Sequence, residues 1–192
     1  MRRSMSAASL LCVLSLAGCA APGIKVPLLQ SSYNPTLDAA DLSDYKGITV
    51  LFPYVTNSAN DTGIWNYYSA DKKHVYETMP GLDIYFWDCF VNAFNRIGVR
   101  AVATPAPGTE NAQELQITLL SVTDRKLLYA VRLNRLGETS FKKQITVEAP
   151  PPTTTVVSEL EARAYGFMDS AFLALVTDSE FKKSFLRKGE SK

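Results

Sequence analysis

Few side chains in this chain of 192 residues could carry chemistry: the sequence holds three cysteines and one histidine. Cys12 and Cys19 lie near the start, Cys89 lies in the apolar segment DIYFWDCFVNAF, and His74 lies in the polar segment ADKKHVYE. A lone histidine without a C-x-x-C pair does not make a recognisable zinc or transition-metal site. We therefore expect His74 to be an exposed loop residue.

Motifs for nucleophilic catalysis and nucleotide binding are missing from the sequence. There is no G-x-S-x-G elbow, no Walker A loop and no G-x-G-x-x-G. Asp38, Asp41 and Asp44 are spaced by three residues, but the glycine and the terminal glutamate of a calcium loop do not follow them. The sequence predicts a protein that is not an enzyme and binds no metal or separate cofactor.

The first residues have the pattern of an export signal. Arg2 and Arg3 precede an apolar stretch over residues 7–16. This stretch is too short to cross a bilayer as a helix, which needs about 20 apolar residues. A positive start, a short apolar region and small residues after it are typical of a secretory signal peptide. We assign residues 1–18 to it.

The end of this segment resembles a bacterial lipobox, in which Leu16, Ala17 and Gly18 precede Cys19 directly. The resemblance implies cleavage before Cys19, a diacylglycerol on its thiol and an acyl chain on its new amine. Two or more acyl chains hold a protein stably on a bilayer. Ala20, where Asp would favour the inner membrane, favours the outer membrane by similarity to enterobacterial sorting rules. The alternative is an ordinary signal peptide that happens to carry a cysteine.

The mature chain would keep one free thiol, Cys89, which cannot form an intramolecular disulfide. Its apolar neighbours predict a small buried side chain in a helix, and a reactive thiol is the alternative. Removal of residues 1–18 takes away two arginines and no acidic residue, so the mature chain is close to neutral. This charge gives no indication of nucleic-acid binding.

Residues 19–45 are predicted to be the lipidated N-terminus and a tether, because residues 20–45 hold three prolines and no sustained hydrophobic period. The alternative is partial order, with Val26, Leu28 and Leu29 packed on the body of the protein. Residues 46–192 then form a single periplasmic domain, a size that can bury a real core.

Within this domain, strand and helix patterns can be told apart by their periods. The last strands are joined by short connections and predict an antiparallel meander, and two amphipathic helices can cover one face of such a sheet. Ser158 and Glu161 match a capping box at the start of the second helix. We predict an α+β fold, a two-layer sandwich with a mostly antiparallel sheet of about four to five strands. Strands are expected at 46–55, 99–103, 114–124, 126–135 and 139–149, and helices at 83–97, from about 158, and at 179–189.

A long segment over residues 56–81 has no regular period and carries four large aromatic residues: Trp65, Tyr67, Tyr68 and Tyr76. Amphipathic aromatic side chains are common in binding surfaces because they offer a large contact area. We predict a partner-binding loop here. The alternative is that these side chains fold back and cap the sheet or a helix.

The lipobox, the strand GITVLFPYV, the helix ending FNRIGVRAV, the meander and the last helix closing LALVTDSEFKKSF together resemble small Gram-negative outer-membrane lipoproteins. The sequence is most similar to the YajG-type family, and the ABC-transporter auxiliary and lipopolysaccharide-assembly lipoproteins are similar in layout. It departs from them where TNSANDTG replaces an Asp-x-Arg stretch and where AAPGIKVPLL lacks a tyrosine-rich strand. Only Cys19 and its cleavage neighbours match family residues with a known role.

We therefore expect an outer-membrane lipoprotein whose domain faces the periplasm. It would act as a non-catalytic binding or assembly accessory of a cell-envelope complex in transport, secretion or envelope assembly. The anchor would raise its effective concentration near a membrane partner. The alternative is a periplasmic carrier or binding protein for a hydrophobic ligand, held between the helices and the sheet beside the aromatic segment IYFWDCFVNAF.

Overall fold

The computed structural model describes residues 23–38, 41–59, 66–109 and 111–187. The predicted signal peptide, Cys19, Ala20 and Trp65 lie outside these residues. The described part is an α+β fold with two sheets and three helices, so the predicted fold class is confirmed. Its elements are β1 (Ile24–Leu29), β2 (Thr49–Leu51), β3 (Val55–Asn57), β4 (Asn66–Tyr68), β5 (His74–Met79), α1 (Leu82–Arg96), β6 (Arg100–Val102), β7 (Gln113–Val122), β8 (Lys126–Arg135), β9 (Glu138–Glu148), α2 (Val157–Val176) and α3 (Ser179–Phe185).

The larger sheet is built on the predicted antiparallel meander of β7, β8 and β9. Alternate residues along these strands are buried, including Leu115, Leu119 and Leu133, which have no exposed surface. A two-residue turn of Leu136 and Gly137, both with positive φ, joins β8 to β9. Such turns match the twist of paired strands, so the local sequence sets the register here.

Parallel strands complete this sheet, in the order β6-β2-β7-β8-β9 with β3 also on β7. β2 and β3 both pair with β7 in parallel, one after the other. The strand predicted over residues 46–55 is therefore divided, and Pro53, which has no N–H to donate, lies in the break. The sheet is mixed and has more strands than predicted, because the prediction did not separate these short parallel segments.

The smaller sheet has the order β1-β5-β4. β1 runs parallel to β5, from Ile24 opposite His74 to Leu29 opposite Met79. Val26 and Leu28 are fully buried, whereas Leu29 is 44% exposed. The predicted tether over residues 19–45 is therefore wrong from residue 24 onward, and the folded domain starts well before residue 46. Val26 and Leu28 of β1 point into the core, and their burial holds this segment on the domain, which a tether would not show.

The segment after β1 is hydrogen-bonded to α2. The hydroxyl of Tyr33 donates to Asp169 Oδ1 at 2.7 Å, and the N–H of Thr36 donates to Asp169 Oδ2 at 3.2 Å. The hydroxyl of Tyr45 donates to the carbonyl of Val176. Burial raises the pKa of Tyr33, and the Asp169 carboxylate raises it further. The Tyr33 hydroxyl therefore stays protonated and keeps donating this hydrogen bond. Residues 33–38 and 41–45 are therefore part of the domain.

The helices cover the larger sheet with an aromatic core. Phe94 of α1 lies 4.9 Å from Phe172 of α2 between ring centroids, with the rings nearly perpendicular, and 6.0 Å from Phe185 of α3. Phe90 lies 5.9 Å from Phe172. Edge-to-face rings at these distances are favourable. The aromatic face of α1 is core, as the periodicity predicts, and Cys89 beside it is 1% exposed with a pKa raised by burial.

The N-terminus of α2 differs from the predicted capping box, whereas the N-terminus of α3 has a side-chain cap. α2 begins at Val157 with Val156 at its N-cap position and no side-chain cap, so the predicted capping box of Ser158 and Glu161 is wrong. α3 has a real cap, because Asp178 accepts from the N–H groups of Glu180 and Phe181. None of the helices in the described ranges is long and apolar enough to cross a bilayer.

Candidate functional site

The predicted aromatic binding loop folds as the hairpin of β4 and β5. Tyr67 and Tyr76 form a cross-strand pair whose rings stack at 4.9 Å, and they are 4% and 0% exposed. The prediction that they form a partner-binding surface is therefore wrong, and the alternative of folding back onto the body is right for both. Tyr68 points the other way and is 37% exposed. Trp65 lies outside the described residues.

His74 is buried at the start of β5 and is only 5% exposed, so the prediction of an exposed loop residue is wrong. The cause is the alternation along β5, in which His74, Tyr76 and Thr78 all point inward. The two ring nitrogens of His74 have no hydrogen-bond partner within the described part. Among the described residues, no hydroxyl is therefore hydrogen-bonded to the His74 ring.

Asp124 brings three parts of the chain together beside His74. It lies in the turn between β7 and β8 and is 2% exposed. Its Oδ1 accepts from the N–H of Ala70 at 2.8 Å, and its Oδ2 lies 3.7 Å from Nη1 of Arg163 on α2. A buried carboxylate is costly unless a positive charge and hydrogen bonds compensate it. Arg163, which also donates to the carbonyl of Pro150, supplies that charge, although Oδ2 itself makes no hydrogen bond within the described part.

These contacts form one end of the domain, made of the turns 69–73 and 123–125 and the segment 150–155, which we call the β1 end. β1 starts there, because the N–H of Ile24 donates to the carbonyl of Lys73 at 2.9 Å. A cleft of about 370 Å³ opens at this end and is lined by Lys73, His74, Asp124, Arg125 and residues of the segment 151–155. Its lining combines charged side chains and threonine hydroxyls with Ala70, Pro151 and Pro152.

Two groups at this end have shifted pKa values. Hydrogen bonds from the Ser69 hydroxyl and the Lys73 N–H lower the pKa of Asp71 to about 2. Burial raises the pKa of Tyr76 to about 12, and the Asp124 carboxylate adds to this shift. Among the described residues, no three side chains of His, Cys, Asp or Glu are grouped so that they could hold a metal ion.

A second surface lies beside α1 and is apolar. This groove, the α1 groove, has a volume of about 250 Å³ and is lined by Pro53, Tyr54, Val55, Asp83, Ile84, Trp87 and Ala103. Tyr54 is 57% exposed and Ile84 is 43% exposed. The indole N–H of Trp87 donates to the carbonyl of Phe52 at 2.8 Å, which fixes one wall. Exposed apolar side chains that line one groove are typical of interaction sites.

Neither surface is evident from the amino-acid sequence. Strict alternation from Val50 and Phe52 would place Tyr54 on the buried face as well, but the strand ends before Pro53 and Tyr54 turns outward. The cluster at the β1 end joins residues far apart in the chain. One local signal was available, since the alternation of HVYETM places His74 on the same face as Tyr76.

The fold and these surfaces define a mixed α+β domain with one polar and one apolar candidate surface. No protein-family model matches the sequence, and the curated proteins contain no match to it. Two crystal structures are similar in arrangement. One is of an uncharacterized protein, with 15% identity over 80% of this chain and 97% of that chain and a TM-score of 0.49. The other is of a Xanthomonas campestris protein of the family model DUF330, with 9% identity over 80% of this chain and 93% of that chain and a TM-score of 0.49.

Proposed function

We propose that this protein is a lipoprotein of the bacterial outer membrane whose periplasmic domain binds a protein partner as a non-catalytic accessory of an envelope complex. The observation that supports this most is the lipobox ending at Cys19, followed after four residues by a folded domain that starts at Ile24. The process served would be transport, secretion or envelope assembly. Within this class, the similarity to YajG-type lipoproteins stays a prediction that rests on the sequence motifs.

The α1 groove is the surface that we propose for the partner. Its exposed Tyr54 and Ile84 offer apolar area, and the bond from Trp87 to the backbone keeps the wall rigid, so that little entropy is lost on binding. The groove is smaller than most pockets for drug-sized ligands, which hold roughly 300–1,000 Å³. It suits one or two side chains of a protein partner.

The carrier alternative needs space for a ligand between the helices and the sheet. That space beside α1 is filled by aromatic rings, with Phe90 and Phe94 both against Phe172. The packing therefore explains the aromatic segment without a ligand and supports the accessory proposal. Mass spectrometry of the purified domain tests the alternative, because a carrier would retain a lipid or small molecule through purification.

The anchor is tested by comparing the wild type with Cys19→Ser. We expect the wild-type mature chain to carry a diacylglyceryl group and an acyl chain by mass spectrometry and to fractionate with the outer membrane. Cys19→Ser should leave the membrane fraction. Cys89→Ala is the matched control, because Cys89 is buried and should not affect anchoring. An unmodified Cys19 in the wild-type protein would refute the proposal.

The partner is tested by crosslinking and capture from native membranes. Ile84→Arg places a charge in the α1 groove and should abolish capture of a defined envelope protein. Leu136→Arg is the control, because Leu136 is 79% exposed on the turn between β8 and β9. Equal capture by both variants would exclude the groove as the binding surface. No partner for the wild type would leave the carrier alternative as the better account.

A further inference from the structure

The distance from Cys19 to the first strand limits where the domain can lie on a membrane. Ile24 is the fifth residue after Cys19, and an extended chain covers at most about 3.6 Å per residue. Ile24 therefore lies within roughly 18 Å of a lipidated Cys19. Since the Ile24 N–H is bonded to the Lys73 carbonyl, the whole β1 end stays near the lipid.

The opposite end of the domain is farther away than this link can reach. β8 starts at Lys126, at the β1 end, and its ten residues end at Arg135, before the turn of Leu136 and Gly137. Ten strand residues cover roughly 30 Å at about 3.3 Å each. The domain therefore cannot place the turn at Leu136 against the bilayer with the β1 end pointing away.

The exposed charges of the β1 end are mostly positive. Asp124 is compensated by Arg163, so it adds little net charge. Basic residues near an anionic lipid surface favour binding, by about fivefold per residue. The exposed basic residues here are Lys72, Lys73, Arg125 and Lys126, and the exposed acidic residues are Asp71, Glu148 and Glu159, of which Asp71 lies 3.5 Å from Lys73. Basic residues also occur near the opposite end, so the short link, and not the charge alone, selects the β1 end.

Apolar side chains are exposed at the same end. Val156 is 51% and Val157 is 38% exposed, and both follow the segment 150–155 at the start of α2. Tyr68, 37% exposed, is paired by its backbone with Thr123 in the turn between β7 and β8. Aliphatic and tyrosine side chains beside basic residues are typical of surfaces that lie at the boundary of headgroups and acyl chains.

We propose that the β1 end of the domain rests on the surface of the bilayer. Lys72, Lys73 and Arg125 face anionic headgroups, and Val156 and Val157 lie at the interface. This inference rests on the proposed lipidation of Cys19. It adds a second contact with the lipid, made by the folded domain itself, and thereby fixes which end of the domain faces the partner complex.

The orientation is tested with the full acylated protein in vesicles of phosphatidylethanolamine and phosphatidylglycerol that contain brominated lipid. A fluorophore is attached at Thr153→Cys, on the exposed segment of the β1 end, or at Leu136→Cys, on the opposite turn. The added cysteine is the accessible thiol, because Cys89 is 1% exposed. We expect strong quenching at position 153 and none at position 136.

The contribution of the charges is tested in the Thr153→Cys protein. Neutralising Lys72, Lys73 and Arg125 to Gln should lower the quenching several-fold. The matched control neutralises Lys142, Lys183 and Arg187, which are exposed and lie on β9, on α3 and just after it. That control should leave the quenching unchanged. Equal effects of the two triple variants would contradict a specific contact of the β1 end with headgroups.

The remaining outcomes separate this inference from the proposed function. Mass spectrometry of the same samples reports whether Cys19 is acylated. Acylated protein with equal quenching at positions 153 and 136, or with quenching at 136 only, overturns the orientation and leaves the lipoprotein proposal intact. Unacylated protein overturns both.

Discussion

The meander of β7, β8 and β9 and the small sheet of β1, β5 and β4 differ in how their strands meet. The meander strands follow one another along the chain, whereas β1 pairs in parallel with a strand that begins only at His74. In the meander, the buried hydroxyl of Tyr129 donates to the carbonyl of Ala171 at 2.7 Å. In the small sheet, Asn66 Oδ1 and both His74 ring nitrogens have no hydrogen-bond partner within the described part, whereas on the meander this holds for Oε1 of Gln113.

This difference has an energetic meaning. A buried polar atom without a partner costs about 1–3 kcal/mol, whereas a satisfied hydrogen bond contributes about 1 kcal/mol. The small sheet therefore has the less favourable interior, although it holds the start of the folded chain and the β1 end. Regions that deviate from good packing and full hydrogen bonding are often functional, which agrees with a role of this end in surface contact.

The largest effect is expected in the core under the larger sheet. Phe94→Ala should lower the free energy of unfolding by about 3–5 kcal/mol, because it removes a fully buried ring and leaves a cavity among Phe172 and Phe185. Ile84→Ala on the same helix should change it by about 0.5 kcal/mol or less. Urea unfolding followed by circular dichroism measures both. Similar values would mean that the aromatic cluster is not the core of the domain.

A smaller loss is expected in the small sheet. Leu28→Ala should cost about 2–4 kcal/mol, since Leu28 is fully buried, and Leu29→Ala is the neighbouring control at 44% exposure. The same urea experiment shows whether β1 contributes to the stability of the folded domain or behaves as a tether. Small and equal effects at both positions would show that β1 does not contribute to the folded domain.

Removing one tyrosine hydroxyl from the meander and one from the small sheet compares the interiors of the two sheets directly. Tyr129→Phe should destabilise the protein by about 1 kcal/mol, because it leaves the buried carbonyl of Ala171 without its donor. Tyr76→Phe should cost less, because the Tyr76 hydroxyl makes no hydrogen bond of normal geometry, although the Arg163 guanidinium lies near enough to lower its pKa. A larger loss for Tyr76→Phe than for Tyr129→Phe would reverse the comparison.

Alkaline pH should destabilise the small sheet and the part of α2 beside it. Burial raises the pKa of Tyr76 and that of Tyr165 to about 12, from about 10 in an unfolded chain. Because the folded state resists deprotonation, stability is full below pH 10 and falls as pH rises from about 10 to 12. Tyrosinate absorbance and circular dichroism should therefore change together. Ionisation of all tyrosines near pH 10 in a protein that stays folded would contradict this.

The sequence predicts those parts of the fold whose signal is local. β8 starts and ends at the predicted residues, and α1 is displaced by one residue at each end, because strand alternation and the helical period are visible within one segment. β1 has the same alternation, with Val26 and Leu28 inward, but Pro27 indicated a tether. As an edge strand, β1 tolerates this proline.

The candidate surfaces were harder to predict, for a related reason. Asp124, Ala70 and Arg163 meet only because two turns and a helix converge, and no local pattern in the sequence records that convergence. Tyr54 is exposed because the chain leaves the sheet at Pro53. The proposed anchor at Cys19 is the reverse case, since a local motif of four residues predicts it.

The parallel pairing of β1 with β5 also has a mechanical consequence. If the lipid holds Cys19, any force that pulls the domain away from the membrane enters through residue 23, at the start of β1. β1 runs away from that point, so the force acts along the strand and loads the backbone hydrogen bonds in shear. Six residue pairs, from Ile24 with His74 to Leu29 with Met79, then bear the load together. The domain is thus joined to its anchor in the geometry that resists tension, where a hairpin pulled from its open end would separate one pair at a time.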